Sequence, residues 1–126
     1  MKSFVIAMSI FAVLIVGGMA FDYSLNATTE ELLSSCEEID KNIREDKLKA
    51  AYEKEKQLSE YIDGKKPLLS SILDHSNIDE IEEQISELLG FTEQNDAENA
   101  VVSIRKLEHM FNHLPENYAL TLQNVL

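Results

Sequence analysis

His109 and His113 stand four residues apart, the spacing at which two imidazoles on one helical turn share a face and can hold a metal ion between them. The residues between them are Met110, Phe111 and Asn112, so the glutamate that a zinc protease places next to its first histidine is absent. Counting 100° per residue from the apolar stripe Ala97, Ala100, Ile104, Leu107, Phe111 and Leu114 puts both histidines on the opposite, solvated face. Surface histidines are therefore expected, no metal is assigned to them, and a metal-dependent enzyme built on His109 and His113 is the last-ranked function.

The other chemistry-bearing residues are equally sparse. The run Asp74-His75-Ser76-Asn77 resembles part of a calcium loop, but His75 and Ile78 interrupt the oxygen ligands and the turn glycine is missing. The pairs and clusters Glu37-Glu38 and Glu80, Glu82, Glu83 read as solvated helix faces, since two carboxylates catalyse only where a cleft drives their proton affinities apart. The four glycines, at 17, 18, 64 and 90, form neither a nucleophile elbow nor a phosphate-binding loop. Asn26-Ala27-Thr28 matches a glycosylation acceptor by pattern alone. No catalytic residue and no cofactor follows from the sequence, and a non-enzymatic protein is expected.

The elements that would position these residues are all helical. Thr28-Thr29-Glu30-Glu31 has the form of a capping box opening a helix with the stripe Leu32, Cys36, Ile39, Ile43. Cys36, the lone cysteine, lies on that apolar face and reads as a buried small hydrophobe. After a lapse at Glu45-Asp46, a second helix runs to about Ile62 with Leu48, Ala51, Tyr52, Leu58, Tyr61 and Ile62 inward, and Gly64 is placed to end it as a left-handed cap. Pro67 opens a short third helix, Leu68 to Asp74. Asn77 to Glu80 opens a fourth, carrying Ile78, Ile81, Ile85, Leu88 and Leu89, and Asn95-Asp96 opens a fifth that Pro115 closes. The tail, Glu116 to Leu126, carries enough apolar residues to dock as a turn and short helix. Residues 31–62 lie over 80–111 without a gap, although only four of the thirty-two aligned residues are identical. The expected fold is all-α, a small antiparallel bundle of two helical hairpins behind an N-terminal apolar helix.

That leading helix fixes the setting. Ser3 to Phe21 contains nineteen residues and no charge, a length of about 28 Å as helix against a hydrocarbon core of roughly 30 Å. The segment reads as a transmembrane anchor over residues 1–21 ahead of a domain over 22–126. The competing reading is a signal peptide cleaved after Ala20, since Gly18-Met19-Ala20 is a small-x-small site. Lys2 precedes the segment and acidic residues follow it until Lys41, so the positive-inside rule leaves the N-terminus in the cytoplasm and the domain outside. Setting Lys2 aside leaves 10 basic against 23 acidic residues, a net charge of −13 that argues against nucleic acid as a partner.

The basic start, the single apolar helix, the Thr-Thr-Glu-Glu-Leu-Leu opening, Pro67-Leu68-Leu69, Asp74-His75 and the run His113-Leu114-Pro115-Glu116-Asn117 together resemble one bacterial family. It is the domain of unknown function 4363 of Gram-positive spore formers. The resemblance implies a single-pass membrane protein with an outward helical domain, without assigned activity, encoded beside polytopic membrane proteins. With the residue-level reading, it gives an accessory or scaffold module for another membrane or envelope protein. The alternative is a secreted binding protein.

Overall fold

The computed structural model describes residues 1–114. Pro115 and the tail through Leu126, expected to close the last helix and to dock, lie outside the described residues. Five helices follow one another: α1 (Lys2–Arg44), α2 (Leu48–Gly64), α3 (Lys66–Ser70), α4 (His75–Glu93) and α5 (Ala97–Asn112). There is no strand among the described residues, and the fold is all-α.

α1 is a single helix of 43 residues, about 64 Å long, and it passes through the expected start at Thr28 without a break. Thr28 is not a cap. Between Phe21 and Thr28 the sequence offers neither proline nor glycine, and Phe21, Leu25, Thr28 and Leu32 already keep the spacing of a helix face that packs on the core. Thr28 and Thr29 are buried, and the Thr29 hydroxyl donates to the Leu25 carbonyl at 2.9 Å instead of capping a helix end.

The C-terminal half of α1 joins α2, α4 and α5 in an up-down-up-down four-helix bundle, in which α1 packs on α2 and α5, and α4 on the same two. The core is the set of facing stripes: Leu32, Cys36, Ile39 and Ile43 from α1; Ala51, Leu58 and Ile62 from α2; Ile81, Ile85 and Leu88 from α4; Ala100, Ile104, Leu107 and Phe111 from α5. Each fully buried Leu, Ile or Phe contributes about 1.5–3 kcal/mol of transfer free energy. With its single cysteine free, the bundle is held by this packing.

The 49-residue offset is a structural repeat. α1 ends at Arg44 and α4 at Glu93, while α2 starts at Leu48 and α5 at Ala97. The two connections fold alike, with Asp46 at φ 60° and Asn95 at φ 59°. Lys47 N–H bonds the Asn42 carbonyl at 2.7 Å and Asp46 N–H that of Ile43 at 3.2 Å, matched by Asp96 to Phe91 at 2.8 Å and Asn95 to Thr92 at 3.1 Å. Each is a Schellman closure made with Asp or Asn in the left-handed position.

Gly64, expected to be such a cap, does not have positive φ and is the last helical residue of α2. No reversal is needed there, because α3 follows after the single residue Lys65. α3 also starts and stops earlier than expected, and α4 begins at His75 behind Asp74, whose extended backbone makes it the N-cap in place of Asn77. The start of α5 is as expected: the Asp96 carboxylate accepts the Asn99 N–H at 3.2 Å.

Candidate functional site

Two features distinguish the surface of this bundle. The first is the N-terminal part of α1. Its apolar side chains from Phe4 to Met19 are exposed around the whole circumference, and α1 is the helix among the described residues long and apolar enough to cross a membrane. Among the described residues outside the adjoining helix backbone, nothing lies within 4 Å of a side-chain atom placed at Gly17 or Gly18, so that face is open to approach. By contrast, the large hydrophobic residues exposed on the remainder of the described chain are Tyr23 and Val102.

The second feature is the end of α5. His109 is exposed and His113 half-buried, and their rings meet edge to face with centroids 4.3 Å apart. Their Nε2 atoms lie 3.1 Å from each other. The helical spacing brought the rings to one face, as the sequence suggested, and that face, solvent-exposed at His109, also borders a hollow between α4 and α5. Leu73, Asn77, Glu80 and Ile81 line the hollow from the α4 side, and Met110 and Leu114 from the α5 side. His75, the third histidine, is exposed at the first position of α4 and lines no part of the hollow.

The glutamates singled out in the sequence divide into separate environments. Glu38 pairs with Lys54 across α1 and α2 at 3.0 Å, and Glu82 pairs with Lys66, whose ammonium is held above its ordinary range by that carboxylate. Glu108 on α5 is pushed up by partial burial first, then by Asp40 and Glu37. Cys36 is fully buried as expected, and burial, followed by the charge of Glu108, pushes its thiol up to about 12. Such a thiol is inert at neutral pH.

Sequence reading missed the one carboxyl that is fully buried among the described residues. Glu55 is 0 % exposed in the middle of α2, and Thr92 Oγ1 lies 2.8 Å from its Oε2. The other oxygen, Oε1, has no hydrogen-bond partner among the described residues. Loss of solvation pushes the carboxyl up to about 7, against the smaller opposing effect of the Thr92 bond. Two signals pointed to it: Glu55 falls in the stripe between Ala51 and Leu58, and the 49-residue overlay sets it against Ile104. Thr92, set against Ile43, carries the same signal.

A small helical bundle, an acidic surface and one exposed apolar helix define a domain carried on a candidate membrane span. The chain matches the Domain of unknown function (DUF4363) over residues 19–125, and it belongs to that family. No curated protein and no solved structure matches it significantly.

Proposed function

We propose that the protein is a membrane-anchored, extracytoplasmic helical module that works without catalysis, as an accessory or scaffold binding another membrane or envelope protein. The observation that carries this reading is the continuity of α1: one helix is exposed and apolar over its first half and forms a wall of the bundle over its second. A span joined to a domain through unbroken helix transmits position and orientation, which suits a subunit that holds something at the membrane surface. The face at Gly17 and Gly18, open to approach by another backbone, suits packing against a partner's transmembrane helix. The arrangement of Lys2 before the span and acidic residues after it supports the outward placement.

A crosslinking pulldown of the full-length protein from its native membrane tests the reading, with the mass of the bait read on the same gel. Full mass in the membrane fraction, with one dominant polytopic partner, is the expected result. A second reading, the released binding protein, draws on the position of the core: its first buried residue is Leu25, so cleavage after Ala20 leaves the bundle whole. A bait shortened by the leader, in the soluble fraction and without a membrane partner, would establish that reading instead.

A further inference from the structure

The paired imidazoles at the end of α5 fit a ligand that the proposed scaffold role does not require. The two Nε2 atoms are 3.1 Å apart, too close for both to carry a proton along the line between them. At least one lone pair is therefore directed into the gap. Zinc–imidazole bonds of about 2.0–2.1 Å meeting at about 90–110° separate two ligating nitrogens by about 2.8–3.4 Å, and the observed spacing falls in that range. Rotation of each ring about its Cβ–Cγ bond brings both lone pairs to a common point, with the remaining hydrogen of each neutral ring on Nδ1.

The surroundings favour a cation. Among the described residues, the hollow that holds both rings is lined by Glu80 from α4 and by no Lys or Arg. Arg105 and Lys106 line the neighbouring hollow along α5, which His109 and Glu80 also border and His113 does not reach. We propose that His109 and His113 chelate a borderline divalent transition metal, Zn²⁺, Ni²⁺ or Cu²⁺, through their Nε2 atoms. Imidazole discriminates against Ca²⁺ and Mg²⁺, which seek oxygen. Among the described residues no group of three His, Cys, Asp or Glu side chains converges, so the two imidazoles are the ligands assigned here. By topology the site lies at the end of the bundle where α1 enters it, since α5 runs antiparallel to α1.

The test is a Zn²⁺ titration of the full chain in detergent micelles by calorimetry, with thermal melting read by circular dichroism on the same samples. One Zn²⁺ per chain is expected, with a rise in melting temperature. His109→Ala and His113→Ala should each weaken binding roughly tenfold or more, with little further loss in the double variant, because either change ends the chelate. His75→Ala should leave binding unchanged. Unaltered affinity in either single variant, or loss of binding in His75→Ala, would overturn the assignment. Electron paramagnetic resonance of the unmodified protein with Cu²⁺ gives an answer that needs no variant: two coordinated imidazole nitrogens support the site, and one or none rejects it.

Discussion

The Thr92 hydroxyl oxygen lies 2.8 Å from Glu55 Oε2 and 3.0 Å from the Leu88 carbonyl oxygen, at the α2–α4 seam of an otherwise apolar core. A hydroxyl has one proton, so it cannot donate to both. If Glu55 is ionised, Thr92 donates to the carboxylate and a charged oxygen, Oε1, stays buried without a partner. If Glu55 is protonated, it donates to Thr92, which donates on to Leu88, and no charge is buried. The second arrangement buries no charge, and it is this cost of burying the ionised form, greater than the opposing effect of the Thr92 bond, that pushes the carboxyl up to about 7. In the repeat, the positions of Glu55 and Thr92 are those of Ile104 and Ile43, so the same seam between α5 and α1 is made with two isoleucines.

The repeat therefore supplies its own replacement experiment. Glu55→Ile with Thr92→Ile copies the apolar seam, and it should raise stability by about 1–3 kcal/mol, because it removes a buried polar pair without orphaning either member. Thr92→Ile alone leaves Glu55 with no bond and should cost about 1–3 kcal/mol. Urea unfolding of the three proteins would decide it; a double variant less stable than the single one would show that the two halves do not share a seam geometry.

Glu55 also gives stability a pH dependence of definite sign. Its folded value of about 7 lies above the ordinary 4.5, so the folded state holds a proton that the unfolded state releases. The contribution is complete below about pH 4.5 and is lost as pH rises through about 7, a change on the order of 3 kcal/mol. Glu55→Gln mimics the protonated form. The difference in unfolding free energy between the unmodified protein and Glu55→Gln should move against the unmodified protein from pH 5 to pH 8. A difference independent of pH would mean that Glu55 is solvated in the folded state.

What the sequence made legible was whatever obeys a period. The apolar stripes, the free buried Cys36 and the offset of 49 residues all rest on spacing, and spacing survives into the fold. Positions where two rules compete were harder. Thr28-Thr29-Glu30-Glu31 satisfies the capping-box pattern, yet a cap forms only where a helix must begin, and the apolar helix behind it had no reason to stop. Gly64 is the residue most able to take positive φ, yet the reversals fall at Asp46 and Asn95, where the chain has to turn back on itself. Glu55 was hidden for a different reason: its type says surface while its register says core. Meeting of His109 with His113 was legible as spacing, but the hollow beside them depends on how α4 lies against α5.

The left-handed residues are open to a direct check. Asp46→Gly and Asn95→Gly should each be neutral to stabilising by up to about 1 kcal/mol, since glycine removes the Cβ clash at φ near 60°. Asn95→Val should instead cost about 1–2 kcal/mol, because a β-branched side chain is strained in that region. Thermal melts rank the variants, and equal losses for Gly and Val at position 95 would mean that the Schellman closure is not what ends α4.

The continuity of α1 fixes a distance that can be measured. Val13 in the apolar half and Lys41 in the bundle half are both exposed and 28 positions apart on one helix, which places their Cα atoms about 42 Å from each other. Cysteines at these two positions can be spin-labelled without touching Cys36, whose thiol is buried and pushed up to about 12. A single narrow distance distribution is expected for the full chain in micelles. Ser24→Pro, at an exposed position just before the core begins at Leu25, removes a helical hydrogen bond and should broaden that distribution while the melting of the bundle changes little. A broad distribution in the unmodified protein would mean that the domain swivels on its anchor, and the case for a module that fixes the orientation of a partner at the membrane would fall with it.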